Sequence, residues 1–140
     1  MRFQKPVKKR KKTPKKKEKK LTLLTKEAQT VFNRYIRKRD SENGYFTCIS
    51  CQKTMETNRM NAGHYVPVAR SKFLRFNEWN TNGECEGCNC FDEFHLIGYK
   101  KNLTEKIGKK AVEWLEDNSR KLKKYTREEL EEIIKKYEEK

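Results

Sequence analysis

Two cysteine pairs, Cys48-Ile49-Ser50-Cys51 and Cys85-Glu86-Gly87-Cys88, bracket the segment Gly63-His64-Tyr65-Val66-Pro67, and Asn89 follows the second pair at once. Four thiolates complete the tetrahedral shell of one Zn²⁺ and leave it no open position, so Cys48, Cys51, Cys85 and Cys88 read as a structural site. His64 and Asn89 are then free for a second task. Imidazole is the side chain best matched to general-base work near neutral pH. An asparagine carbonyl oxygen can ligate a hard cation such as Mg²⁺ or Mn²⁺, which keeps waters and phosphate in its remaining positions. Together these are the parts that phosphodiester hydrolysis needs: a water made nucleophilic, and positive charge near the phosphate and the departing 3′ oxygen. The chain has only two histidines, so this imidazole chemistry falls on His64 and His95.

Thirty-three residues separate Cys51 from Cys85, beyond the roughly 15–20 of a compact zinc ribbon. The insertion therefore has structure of its own, and a hairpin carrying His64 fits. Tyr45-Phe46-Thr47 and residues 62–66 read as strands, the second ended or held at a sheet edge by Pro67. From Cys85 onward the pattern predicts a helix running past Asn89, Phe91, Phe94 and His95 towards Tyr99, with Gly98 near its end. Glu93, four residues after Asn89, and His95, six after it, are candidate extra ligands. Cys90, the cysteine left over, reads as a small buried apolar side chain. In the loop that follows Pro67, Arg70, Lys72 and Arg75 are candidate phosphate contacts, whereas Phe73, Phe76 and Trp79 read as core.

The elements around this centre follow from periodicity. Ala28, Val31, Phe32, Tyr35 and Ile36 fall on one face of a helix expected over residues 21–40, capped by Thr22 or Thr25 and ended by Asp40-Ser41-Glu42-Asn43-Gly44. A second helix is expected over 104–118, with Ile107, Ala111, Trp114 and Leu115 on one side. Thr126-Arg127-Glu128-Glu129 is a capping-box sequence ahead of the stripe Leu130, Ile133, Ile134 and Tyr137. The stripes of residues 104–139 either pack within the chain or join two copies in a homodimer. With 34% hydrophobic and 39% charged residues, the core is small and benefits from a metal staple. The expected class is a small α+β fold, zinc-stapled and flanked by helices.

Charge is concentrated at one end. Residues 1–20 carry twelve Lys or Arg against one acid, so +11 of the formal +15 lies there. Such a run repels itself and buries nothing, which predicts a disordered tail when free. Lys8, Lys9, Arg10, Lys11, Lys12, Lys15, Lys16 and Lys17 suit a polyanion bound through counterion release, nucleic acid above all. Leu21-Thr22-Leu23-Leu24 is too short for a secretory h-region, and no apolar run reaches membrane-spanning length. No membrane partner is expected, and paired cysteines in such a chain suit a reducing cytosol. The expected organisation is a basic tail over 1–20, a helix and metal-bearing core over 21–103, and a helical extension over 104–140.

The residues resemble the HNH, or ββα-metal, nuclease superfamily. His64-Tyr65-Val66-Pro67 stands where that family has His, two apolar residues and proline; Asn80 stands at its central Asn; Cys85-Glu86-Gly87-Cys88-Asn89 matches its Cys-x2-Cys-Asn. The resemblance implies His64 as general base, Asn80 as the residue orienting it, Asn89 as a ligand of a catalytic divalent ion, and His95 as a further ligand. Many such sites place Asp or His before the base histidine, whereas this chain has Gly63, so a ligand comes from His64 itself or from elsewhere. Leu74-Arg75-Phe76, Ala62-Gly63-His64-Tyr65, Cys88-Asn89 and the downstream Tyr99, Leu103, Ile107-Gly108 and Val112 are similar to the phage NinG (Rap) recombination proteins. That resemblance implies a structure-specific endonuclease acting on Holliday junctions and D-loops in the bacterial host cytoplasm, and it raises a phage recombinase as a partner. The competing reading is a non-catalytic zinc-binding module that binds or anneals DNA.

Overall fold

Residue period and breakers account for most of the elements in the computed structural model, which describes residues 18–140. Helix α1 (Leu21–Arg39) buries Leu24, Ala28, Val31, Phe32 and Ile36, the expected stripe. Its N-cap is Lys20 rather than Thr22 or Thr25; the Thr25 hydroxyl donates back to the Leu21 carbonyl at 2.8 Å. Asn43 and Gly44, at φ 53° and 82°, turn the chain after it. Two short hairpins follow. Strands β1 (Tyr45–Thr47) and β2 (Thr54–Glu56) pair antiparallel around the first cysteine pair. Strands β3 (Met60–His64) and β4 (Thr81–Cys85) pair antiparallel across the long insertion.

The expected helix from Cys85 is corrected. β4 runs as far as Cys85, a π-type turn spans Gly87–Phe91, and helix α2 (His95–Ile107) begins only at His95. The reason lies in the sulfur cluster: the Cys85 N–H donates to the Cys48 thiol at 3.3 Å, which holds the chain extended up to the knuckle. Gly98 sits inside α2, not at its end, because a Cβ there would overlap the Ser50 carbonyl. The helix therefore lies directly against the first cysteine pair. Gly108, at φ 90°, divides the helix expected over 104–118 into the end of α2 and helix α3 (Lys109–Asp117).

Helix α4 (Arg127–Glu138) starts with the expected capping box, Thr126 accepting from the Glu129 N–H while the Glu129 carboxylate accepts from Thr126. Its stripe is covered within the chain. Phe32 meets Tyr137 edge-on with ring centroids 4.9 Å apart, and Leu130 packs with Leu24 and Ala28 of α1. Val112 and Leu115 of α3 join Tyr99 and Leu103 of α2 in a second cluster. Burying side chains of this size contributes about 1.5–3 kcal/mol each. Val112, Leu115, Leu130 and Tyr137 thus pack within the chain, whereas Trp114 stays exposed, and residues 103 and 104 both lie inside α2.

A polar lock joins the two halves. Arg39 donates to both oxygens of Asp40, at 2.7 and 2.9 Å, and also to the carbonyls of Glu78 and Thr81. Asp40 accepts from the Gly83 N–H at 2.8 Å and pairs with Lys106 at 3.3 Å. Burial alone would raise the Asp40 carboxyl, but Arg39, Lys106 and the Gly83 N–H hold it below its ordinary range. One carboxylate thereby fixes the end of α1 to β4 and α2.

Candidate catalytic and metal site

The four sulfurs of Cys48, Cys51, Cys85 and Cys88 lie within 4.8 Å of one another. The Cys51 and Cys85 sulfurs are 3.9 Å apart, close to the ~3.8 Å edge of a tetrahedron built on Zn–S bonds of about 2.3 Å. Cys48, Cys85 and Cys88 are buried, and the Cys48 sulfur accepts the N–H groups of Cys51 and Cys85. The cluster could hold one zinc ion, with β1, β2, the end of β4 and the π-type turn gathered around it. Such a site is closed and serves as scaffold.

Strand geometry sorts the remaining candidates. Asn61 pairs with Glu84, Gly63 with Asn82, and His64 with Thr81. Side chains alternate between faces, so Gly63, Asn82 and Glu84 share the face turned towards α2, whereas Ala62 and His64 share the face turned towards α1. Contacts agree on both sides. The Tyr99 hydroxyl of α2 donates to the Gly63 carbonyl at 2.7 Å and receives the Asn82 amide at 3.2 Å. Ala62 packs with Phe32 and Ile36 of α1.

His64 closes β3, half-buried, with Nε2 3.1 Å from the Arg75 carbonyl. A carbonyl only accepts, so in the neutral ring Nε2 carries the proton and Nδ1 is left with a free lone pair. Burial holds His64 below the ordinary histidine value, which favours that neutral form. Asn80 is fully buried and works through the backbone. Its Oδ1 accepts from the Val66 N–H at 2.8 Å, its Nδ2 donates to the Val66 carbonyl at 3.0 Å, and its own carbonyl accepts from the Tyr65 N–H. The segment leaving His64 is therefore clamped, while Asn80 makes no hydrogen bond to the imidazole itself.

On the α2 side, His95 places Nδ1 2.7 Å from Glu84 Oε2. Glu84 has no exposed surface; the Ser50 hydroxyl also donates to Oε2, and Oε1 has no hydrogen-bond partner. Asn89 and Cys90 lie exposed in the π-type turn, so the expectation of a buried Cys90 is corrected: the turn points its thiol outward, with the Asn61 amide 3.8 Å away. Glu93 is exposed. Among the described residues no hydrogen bond or ion pair joins His64 to Asn89 or His95: His64 ends β3, Asn89 lies in the π-type turn and His95 starts α2.

The basic candidates divide as well. Arg70 and Lys72 are exposed. Arg75 is half-buried, donates to Gln29 of α1 at 2.8 Å and lies over the Phe76 ring. Arg70 and Lys101 line an open groove of about 950 Å³ between the Tyr65–Pro67 turn and α2. Lys8, Lys9, Arg10, Lys11, Lys12, Lys15, Lys16 and Lys17 lie outside the described residues. Phe76 packs on Phe32 and Tyr125 as core, whereas Trp79 remains exposed against Trp114. Sequence reading missed Glu84, Asn82 and the Arg39–Asp40 lock. Thr81-Asn82-Gly83-Glu84 has no apolar alternation to mark it as a buried strand, yet all four residues are buried.

Fold and site together define a small α+β protein in which a four-cysteine cluster able to hold a metal carries a hairpin crossed by a helix. Residues 2–140 match the family described as Bacteriophage Lambda NinG protein, and the chain belongs to the NinG family. It is 36% identical over 115 residues to Protein ninG of Escherichia phage lambda, covering 82% of this chain and 54% of that protein. The same identity and span relate it to Protein ninG of Salmonella phage P22, again over 82% of this chain and 54% of the relative. Protein ninG of Enterobacteria phage H19B is 37% identical over 93 residues, 66% of this chain and 44% of that protein. The chain thus spans about half the length of the curated relatives it matches. No solved structure matches, and no helix among the described residues is long and apolar enough to cross a membrane.

Proposed function

We propose that this protein is a metal-dependent DNA endonuclease of HNH-like chemistry, acting on branched recombination intermediates such as Holliday junctions and D-loops during phage homologous recombination. NinG membership supports the phage setting, and the resemblance of the His64, Asn80 and Cys88-Asn89 segments to HNH sites supports the chemistry. The observation that carries the reading is His64: a half-buried imidazole with Nε2 3.1 Å from a main-chain carbonyl, which leaves Nδ1 as its proton acceptor, and with its pKa lowered by burial. In this reading Nδ1 takes the proton from the attacking water. A divalent ion such as Mg²⁺ or Mn²⁺, when bound, would supply Lewis-acid compensation for charge on the phosphate and the leaving oxygen. His95 and Asn89 are its candidate ligands, and the cysteine knuckle holds the scaffold.

Arg70, Lys72 and the tail residues supply affinity for the phosphate backbone without reading sequence, so selection rests on the shape and bendability of the junction. The test is cleavage-product mapping on a panel of branched and linear DNAs with Mg²⁺ or Mn²⁺. The parent is expected to nick near the branch point, and His64→Ala to lose about 10²–10⁴-fold in rate. Equal cutting by both proteins removes His64 from the chemistry. Binding without cutting by either leaves the non-catalytic, zinc-binding annealing module.

A further inference from the structure

Glu84 is the one carboxylate among the described residues that is fully buried while one of its oxygens has no partner. Oε1 is shielded from solvent, and among the described residues no donor meets it. An uncompensated buried carboxylate oxygen is costly, so native proteins give such a group a donor or a cation. Its other oxygen is held by the Ser50 hydroxyl and by His95 Nδ1, at 2.7 Å from the latter. Two adjacent ligands of one octahedral ion at about 2.1 Å lie roughly 3 Å apart, so this His–Glu spacing suits a shared cation as well as a hydrogen bond. His95 is partly exposed, its side chain 20% accessible, which leaves a path for an ion from solvent.

Gly63 explains why the carboxylate can stand there. A Cβ at position 63 would come within 2.5 Å of Glu84 Oε1 and 3.0 Å of Glu84 Cβ. Any side chain before His64 would therefore collide with this carboxylate. This chain carries glycine at position 63, and the Glu84 carboxylate from the neighbouring strand stands against it.

We propose that Glu84, standing in the space that Gly63 leaves, supplies from β4 the carboxylate with which His95 holds a hard divalent cation on the α2 side of the β3–β4 hairpin. The inference rests on the metal-dependent reading above and names the missing ligand. An oxygen and an imidazole, with the remaining positions left to water and phosphate, suit Mg²⁺ or Mn²⁺ better than a closed all-protein cage. Two glycine-dependent approaches frame the site, Gly63 under the carboxylate and Gly98 against Ser50, whose hydroxyl orients it.

The experiment is a Mn²⁺ titration of the zinc-loaded full chain, with free Mn²⁺ followed by electron paramagnetic resonance and zinc content measured in parallel. The parent is expected to take up one Mn²⁺ beyond its zinc. Glu84→Gln should weaken that uptake by about tenfold or more while zinc stays bound. Gly63→Ala keeps both ligands but displaces the carboxylate, so it should weaken uptake too. If Glu84→Gln loses zinc or fails to fold, the parent decides: Mn²⁺ should broaden the amide NMR signals of Gly63, Glu84 and His95 and spare those of α4. Parent-like uptake by a folded Glu84→Gln, no uptake by the parent, or broadening centred elsewhere overturns the proposal. The two readings separate cleanly. Mn²⁺ uptake that depends on Glu84 without DNA cleavage keeps the site and rejects the nuclease, whereas unchanged cleavage by Glu84→Gln keeps the nuclease and rejects this ligand.

Discussion

The α1–α4 side and the β3–β4–α2 side of this molecule are built on opposite principles. On the first, Phe32, Leu130 and Tyr137 bury apolar surface against one another, and the charged residues face water. On the second, Asn80, Thr81, Asn82 and Glu84 are buried polar groups, each needing a defined partner. Apolar packing stabilises without direction and tolerates small shifts. Buried polar groups cost stability unless their geometry is met, and when met they fix positions to within a hydrogen bond. The contrast teaches that the first side rests on apolar burial alone, while the second sets buried polar groups beside its own apolar cluster of Tyr99, Leu103, Val112 and Leu115 and spends some of that gain on fixing Glu84 and the chain next to His64.

Chelation is the harshest way to break the comparison. A structural Cys₄ zinc contributes on the order of 10 kcal/mol to folding, so metal removal should melt the two hairpins while α1 and α4 retain helicity. Hydrogen exchange checks this: amides of β3 and β4 should lose protection before those around Phe32 and Leu130. Uniform loss of protection would mean that the sides fold as a single unit. Next in size, Phe32→Ala should cost about 3–5 kcal/mol in urea denaturation, yet leave the cleavage rate of the surviving folded fraction near that of the parent.

Asn80→Ala sharpens the contrast from the other side. It leaves the buried Val66 N–H and carbonyl without their partners, a loss of about 1–3 kcal/mol in stability. Because the clamp sits next to His64, cleavage should fall by more than the stability loss explains. A variant with stability reduced and cleavage per folded molecule unchanged would reduce Asn80 to a packing residue.

Acidity provides a further comparison. His64 has its folded-state value lowered by burial, so the unfolded chain binds its proton more readily. Stability from this group is present above the ordinary value of 6.5 and is lost as pH falls below it towards the folded value. Denaturation midpoints from pH 8 to about 5 should decline in the parent and decline less in His64→Gln. Asp40, held low by Arg39 and Lys106, adds a separate loss at lower pH, in the carboxylate range. The smallest expected effect is Thr126→Ala, which removes the α4 capping box at about 1 kcal/mol and should not alter metal uptake or cleavage.

Legibility followed the same divide. The stripes Ala28, Val31, Phe32, Ile36 and Leu130, Ile133, Ile134 are periodic, and the helices that carry them appear nearly where expected. The cysteine spacing likewise announced the knuckle, because four thiols at those intervals have few other uses. Cys90 and the helix start near Cys85 were misread, since local pattern favoured a helix where the sulfur cluster holds the chain extended. Glu84 was invisible for a related reason: nothing around it in the chain marks it as buried, and its partners, Ser50 and His95, come from the first cysteine pair and from α2.

From residue order alone came the helices with their caps, the four-sulfur knuckle, the basic end and the pair of histidines, because each depends on neighbours within a few positions or on a recurrent spacing. The folded chain had to supply the rest: which histidine faces which helix, why position 63 is glycine, and that a buried carboxylate stands beside His95. Those are relations between strands and helices far apart in sequence, set by register and close packing.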